Sequence, residues 1–348
     1  MPERLTEFKS VPKAIQNCQW KILWLLLVGT FVLLGQPKLW AQQKGQPKPS
    51  PKKAASQNTT STRKLPPPEE KVLRASDGWP IFITYFPSPA GKESPVVVLL
   101  HMKGSSSLAW LRENGGFAKL LQKSGYAVVA VDLRKHGKSR VSQKRPRGRA
   151  AKSLEKLTRL DYLAMVERDL EAVKGFIYRE HQNQHLNMRK SAIIAAEFSC
   201  PIAINYTALD WLKPPFDDAP TPEAKTPRGQ DIQALILLSP DLSCPGVVTP
   251  KAIRLIRQWP IFVLICTGAD DEQYVKNAVQ LYRLLGGAGH RPKRVFLNKF
   301  PGKLRGTDML NEPKLNVEKV MLGFLNKYVK SLQGPRYRWR DRRSRLLK

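Results

Sequence analysis

The sequence predicts an α/β protein with a mostly parallel central sheet and helices on both faces, and three observations point to it. Blocks rich in Val, Ile and Leu recur along the chain as unbroken apolar runs rather than alternating with polar residues, the pattern of strands covered on both sides. Between them lie segments whose apolar residues are spaced by three and four, the spacing of a helix with one buried face. The two kinds of block alternate, and strand-helix-strand order sets parallel strands side by side with their crossovers on the faces of the sheet.

In chain order, residues 72–86 (VLRASDGWPIFITYF) read as two strands around Asp77-Gly78, a dipeptide that favours a tight hairpin turn. The continuous runs that predict buried strands are residues 95–101 (PVVVLLH), 126–133, 191–196 (SAIIAA), 234–239, 261–267 (IFVLICT) and 294–300. Helical spacing covers residues 108–124, 157–180, 200–209, 272–285 and 313–332, and Gly334-Pro335 reads as the stop of the last of these. No internal repeat is present.

The ends have a different character. Arg4, Lys9, Lys13 and Lys21 precede an uncharged apolar run of fourteen residues, 22–35, and Leu39-Trp40-Ala41 follows it. Basic region, short apolar core and small residue at a cut site are the order of a secretory signal, and the run is shorter than the roughly 20 residues of a spanning helix. Residues 1–41 are therefore expected to be a signal peptide or an N-terminal signal anchor, with the protein secreted, periplasmic or tethered to the outer face of a membrane. Residues 42–70, rich in Lys, Gln, Pro, Ser and Thr, lack the apolar groups that offset ordering entropy and are expected to be a disordered basic linker. Residues 71–332 are expected to be the folded domain, interrupted at 211–230 by a segment with five prolines, and 333–348 a basic tail.

The chain has 348 residues, 42% of them hydrophobic, which excludes a wholly disordered or fibrous protein. Cys18, Cys200, Cys244 and Cys266 show no paired spacing, which excludes a zinc ribbon and a disulfide-dense scaffold; no metal or cofactor is predicted. Lys and Arg number 59 against 28 Asp and Glu, a formal charge of +31, so an anionic partner is expected. Eleven of these cations fall between Arg134 and Arg159 against the single acid Glu155, and seven fall in the tail beside Tyr337 and Trp339. Lipid headgroups, an acidic polysaccharide or a cell-wall polymer are the expected partners of an exported chain with such surfaces, rather than a dedicated nucleic-acid target.

Four local motifs bear on chemistry. Residues 96–106 (VVVLLHMKGSS) form a strand followed by a His-containing turn, and 128–139 (VVAVDLRKHGKS) a strand followed by a loop with Asp132, Arg134, His136, Gly137 and Ser139. Ala195-Ala196-Glu197-Phe198-Ser199 joins a predicted strand to a predicted helix through small residues. Residues 265–275 (ICTGADDEQYV) end a strand on Asp270-Asp271, and Pro301-Gly302-Lys303-Leu304-Arg305-Gly306 follows the last strand.

Together these segments resemble the α/β-hydrolase superfamily, nearest to its dienelactone-hydrolase and serine-aminopeptidase-like esterase branches, over about residues 71–332. The resemblance implies an oxyanion hole from backbone N–H groups near Met102 and Phe198, and a nucleophile elbow, acid and base at positions 197, 271 and 305. Met102 stands where the family has glycine, Glu197 where it has serine, and Arg305 where it has histidine. Arginine stays protonated and cannot accept a proton, so no hydrolytic triad is intact. If Glu197, Arg305 and Asp271 adjoin, they form a carboxylate–guanidinium–carboxylate strut rather than a proton relay. The expected function is accordingly that of a pseudohydrolase serving binding or scaffolding, with a residual pocket for a small ligand under a cap formed by residues 211–230. Two routes keep an enzyme of the esterase class: Glu197 as a carboxylate nucleophile, or Ser199 activated by His290. A third reading is an adaptor in which only the basic surfaces matter.

Overall fold

The structure is a computed structural model that describes residues 65–112, 116–140, 156–287, 289 and 293–347, all within one compact unit, Ser61–Lys348. The expected signal segment, most of the linker, His290 and residues 141–155 of the basic loop lie outside the described residues. Eight strands form one sheet: β1 (Glu69–Arg74), β2 (Pro80–Phe86), β3 (Val96–Leu100), β4 (Ala127–Val131), β5 (Ser191–Ala196), β6 (Ile232–Leu238), β7 (Phe262–Gly268) and β8 (Val295–Phe300). Their spatial order is β1-β2-β4-β3-β5-β6-β7-β8, with β1 and β2 antiparallel and β3 to β8 parallel. The architecture is the predicted one.

The β-branched runs form strands because both of their faces are covered. Along β3, Val96, Val98 and Leu100 enter one core and Val97 and Leu99 the other; β4, β5, β6 and β7 divide in the same way. One core is closed by α2 (Arg159–Ala164), α3 (Leu170–Gln182), α4 (Ser199–Leu212), α5 (Thr249–Gln258) and α6 (Glu272–Leu284), and the other by α1 (Gly116–Lys123) and α7 (Val317–Leu325). Each large apolar side chain withdrawn from water here contributes roughly 1.5–3 kcal/mol. The predicted helix at 157–180 is broken: a π segment, Met165–Asp169, separates α2 from α3. Helix α5 has no counterpart in the sequence reading.

One expectation is corrected. Residues 211–230 do not cap the carboxyl ends of the strands. Helix α4 starts at the end of β5 and runs about 21 Å back, so the segment emerges at the opposite edge, where its Pro215, Pro222 and Pro227 line a cavity with Arg189 and Arg336. The basic tail beyond 333 packs on the domain. Trp339 donates its indole N–H to the His181 carbonyl at 2.9 Å, and Arg342, 3% exposed, is paired through both Nη atoms with Asp231. The Trp339 ring lies 5.1 Å from that of His181, packed on the domain. Among the described residues no helix is long and apolar enough to cross a membrane.

Candidate functional site

The chain leaves β3 toward β4 on one side and returns to β5 on the other, so a crevice opens where the carboxyl ends of β3 and β5 part, the usual ligand position in open α/β sheets. Position 197 lies at that point. Glu197 joins β5 to α4 with φ of 50°, the left-handed region that costs a non-glycine residue about 1 kcal/mol or more. The strain is held by bonds at either side: Glu197 N–H donates to the Leu238 carbonyl, and Cys200 N–H to the Glu197 carbonyl, both at 2.9 Å. Ala195 and Ala196 are fully buried against neighbouring strands, which is why only small residues fit there.

Ser199 is fully buried and faces away from the crevice. Its Oγ donates to the Ala196 carbonyl at 2.8 Å and accepts from the Ala196 N–H at 2.9 Å, closing the elbow. The Glu197 carboxylate instead lies beside Arg305. Its side chain is 12% exposed, and Oε1 lies 3.4 Å from Arg305 Nε. Gly306 comes so close that a Cβ there would sit 3.1 Å from Met102 Sδ and 3.3 Å from Glu197 Cγ, so the 305–306 backbone and Met102 cover the elbow. Gly306 N–H donates to Ser239 Oγ at 3.0 Å, which fixes the loop carrying Arg305.

The structure thus brings together Glu197 and Arg305 but not the three-membered strut. Asp271 caps α6, its carboxylate accepting from Tyr274 N–H at 3.2 Å, and it forms no ion pair with Arg305. The Arg305 guanidinium lies over the Tyr274 ring, 5.4 Å from its centroid. Sequence reasoning missed three residues of this cluster, Lys103, Asp241 and Tyr274. Asp241 could have been found by position, since it directly follows a buried strand, in Ser239-Pro240-Asp241.

Burial pushes the Glu197 carboxyl above its usual range, and Asp241, Asp308 and Asp271 add to the rise while Arg305 opposes it. Asp241 is raised by burial as well, against a hydrogen bond from Tyr274 and the charges of Lys103 and Arg305. With Arg305 half exposed, solvent screens its pull on Glu197.

The described histidines are engaged elsewhere. His101 Nδ1 donates to the Met102 carbonyl at 2.8 Å while Nε2 accepts from Leu133 N–H at 3.1 Å, a pattern that only neutral imidazole can make, and burial pulls its pKa down to about 4. His136 bonds the Arg134 carbonyl and stacks on Phe198, with ring centroids 5.4 Å apart. His181 holds the Arg340 carbonyl and His185 pairs with Glu180. Cys200, Cys244 and Cys266 are free and buried. No group of three or more His, Cys, Asp or Glu among the described residues is placed to hold a metal ion.

No protein-family model matches the chain, and no curated protein matches its sequence. Solved structures do match. A Pyrococcus horikoshii acylaminoacyl peptidase is 14% identical, with a TM-score of 0.52 over 78% of this chain and 43% of that one. A thermostable carboxyl esterase from Bacillus coagulans is also 14% identical, with a TM-score of 0.51 over 76% of this chain and 99% of that one. A Pyrococcus furiosus esterase is 15% identical, with a TM-score of 0.50 over 76% of this chain and 91% of that one.

Proposed function

We propose that this chain, which has the α/β-hydrolase fold, uses it for binding rather than hydrolysis and recognises an anionic partner through its basic surfaces. The observation that carries this reading is a carboxylate at the elbow beside a guanidinium, Glu197 Oε1 at 3.4 Å from Arg305 Nε. Serine-type acyl transfer needs a hydroxyl or thiol and a base that takes its proton. Here the hydroxyls of Ser199 and Ser239 are both buried, and the group facing the elbow never deprotonates. Export, with the protein free or tethered outside the cytoplasm, goes with the reading through the basic and apolar order of residues 1–41.

Intact-mass measurement of the full chain after incubation with a fluorophosphonate and with p-nitrophenyl acetate tests the proposal. The expected result is an unchanged mass. An adduct mapped to Glu197 or Ser199 would overturn it.

A further inference from the structure

The edge of the sheet opposite the elbow, where β5 and β6 begin, holds a concentration of arginine that the elbow does not explain. Arg189, in the short turn before β5, is 8% exposed; its Nε donates to the Arg336 carbonyl, and its Nη1 is buried with no hydrogen-bond partner. Arg189, Arg228, Arg336 and Arg340 line one cavity of about 550 Å³. Lys213 and Lys225 also line it, but each already has a carboxylate, Glu171 at 2.5 Å and Asp217 at 2.6 Å. None of the four arginines has a carboxylate within ion-pair distance among the described residues. The nearby buried anion, Asp231, is taken by Arg342 and Lys174.

These guanidinium groups are held in place before any ligand arrives. Arg336 lies over the Trp211 ring at 5.0 Å, Arg228 over Phe216 at 5.1 Å, and Arg340 donates to the carbonyls of Glu223 and Lys225. A cavity of this volume falls in the range of small-ligand sites. Four arginines against the one acid of the lining, Glu223, leave a charge that calls for more than one negative unit. A phosphoryl group carries about two and offers three acceptor oxygens, and the planar guanidinium fork fits two of them at once. A lone carboxylate would leave most of the positive charge unanswered.

We propose that this cavity is a binding site for a phosphomonoester or pyrophosphate group, with Arg189 at its base and Arg228, Arg336 and Arg340 around it. The proposal rests on the anionic-partner half of the proposed function and not on the state of the elbow. Consistent with it, burial and the charges of Arg342, Arg340 and Arg336 pull the Arg189 pKa down to about 10, against the attraction of Asp231, a burden that a bound anion would relieve. The same phosphoryl chemistry is carried by soluble organic phosphates and by phosphatidic acid.

The test is calorimetric titration of the full chain with inorganic pyrophosphate, together with co-sedimentation on phosphatidylcholine vesicles with and without phosphatidic acid. Binding should weaken as salt rises and should fall roughly tenfold or more in Arg189→Gln, Arg228→Gln and Arg336→Gln. The exposed Lys276→Gln, an equal change of charge elsewhere, should leave it unaltered. Should the buried Arg189→Gln fail to fold, the more accessible Arg228 and Arg336 variants decide the matter. Pyrophosphate binding alone assigns a soluble ligand; binding only to phosphatidic acid vesicles, lost in the same variants, assigns a lipid headgroup. No binding of either probe, or equal weakening by Lys276→Gln, would overturn the site and leave the reading of the elbow intact. Ester turnover abolished by Glu197→Gln would do the reverse.

Discussion

Arg305 is half exposed while Glu197 is mostly buried, so their contact is lopsided, and each partner bears a different share of it. A strut buried at both ends would cost roughly 3–5 kcal/mol to break. With the arginine in water, Arg305→Ala is predicted to cost about 1 kcal/mol or less, read as a small fall in Tm. Glu197→Gln removes a carboxyl whose folded pKa lies above its unfolded value. The folded chain then holds the extra proton, so the wild type loses stability relative to the variant as pH rises through the ordinary glutamate range. Urea unfolding of both proteins over that range measures the difference; a wild type that gains on the variant with rising pH would contradict the assignment. His101 works in the opposite sense. Its pKa falls from 6.5 to about 4 on folding, so the unfolded chain takes the proton first and stability is lost as pH drops through that window, by roughly 3 kcal/mol at full effect. His136 and His181 shift the same way. His101→Gln should flatten part of the acid slope in the same experiment, and an unchanged slope would mean that His101 stays accessible to protons.

Among the elements, the loop after β4 shows how far a few residues fix a turn. Asp132 accepts from the N–H groups of Ser107 and Lys138, both at 2.7 Å, and Gly137, with φ of 49°, packs on it so tightly that a Cβ would lie 2.2 Å from Oδ2. Gly137→Ala is predicted to cost about 3 kcal/mol or more. Gly78→Ala, at φ of 81° with no atom within 4 Å of the added carbon, should pay only the backbone penalty of about 1 kcal/mol. Equal Tm shifts for the two variants would contradict the crowding at Asp132. The strands were legible because their blocks of Val, Ile and Leu answer to burial on two faces, which composition alone reports. The π segment at Met165–Asp169 was not, because it leaves the spacing of apolar residues almost unchanged while placing Asp169 against Arg134, 2.6 Å from Nη2. Helix α5 was hidden by its length and by Pro250 in its first turn. At the elbow, Glu197 and Arg305 could be placed from the motifs that carry the resemblance and Asp241 from its place after β6; Tyr274 could not, since its meeting with them depends on how α6 lies in space. Among the seven cations of the tail nothing in the sequence singles out Arg342, and only the fold reveals that it is buried on Asp231.

On the scale of the molecule, the two ends of the parallel strands carry different kinds of charge. The carboxyl ends gather Glu197, Asp241, Asp271 and Asp308 around Arg305, and the amino ends gather arginines around a cavity. The tail binds the second end together. Arg342→Ala, which strands Asp231 with Lys174 alone, is predicted to cost roughly 3–5 kcal/mol, and a chain ending at Gly334 should lose at least as much, both read as a fall in Tm. A truncated chain as stable as the full one would show the tail to be an appendage. The central claim concerns the first end: a fold shared with esterases whose elbow does no hydrolysis. The most direct measurement is steady-state release of p-nitrophenol from short-chain p-nitrophenyl esters by the full chain and by Glu197→Gln. Both proteins are predicted to give the rate of buffer alone, whereas turnover by the wild type that disappears in Glu197→Gln would contradict the claim.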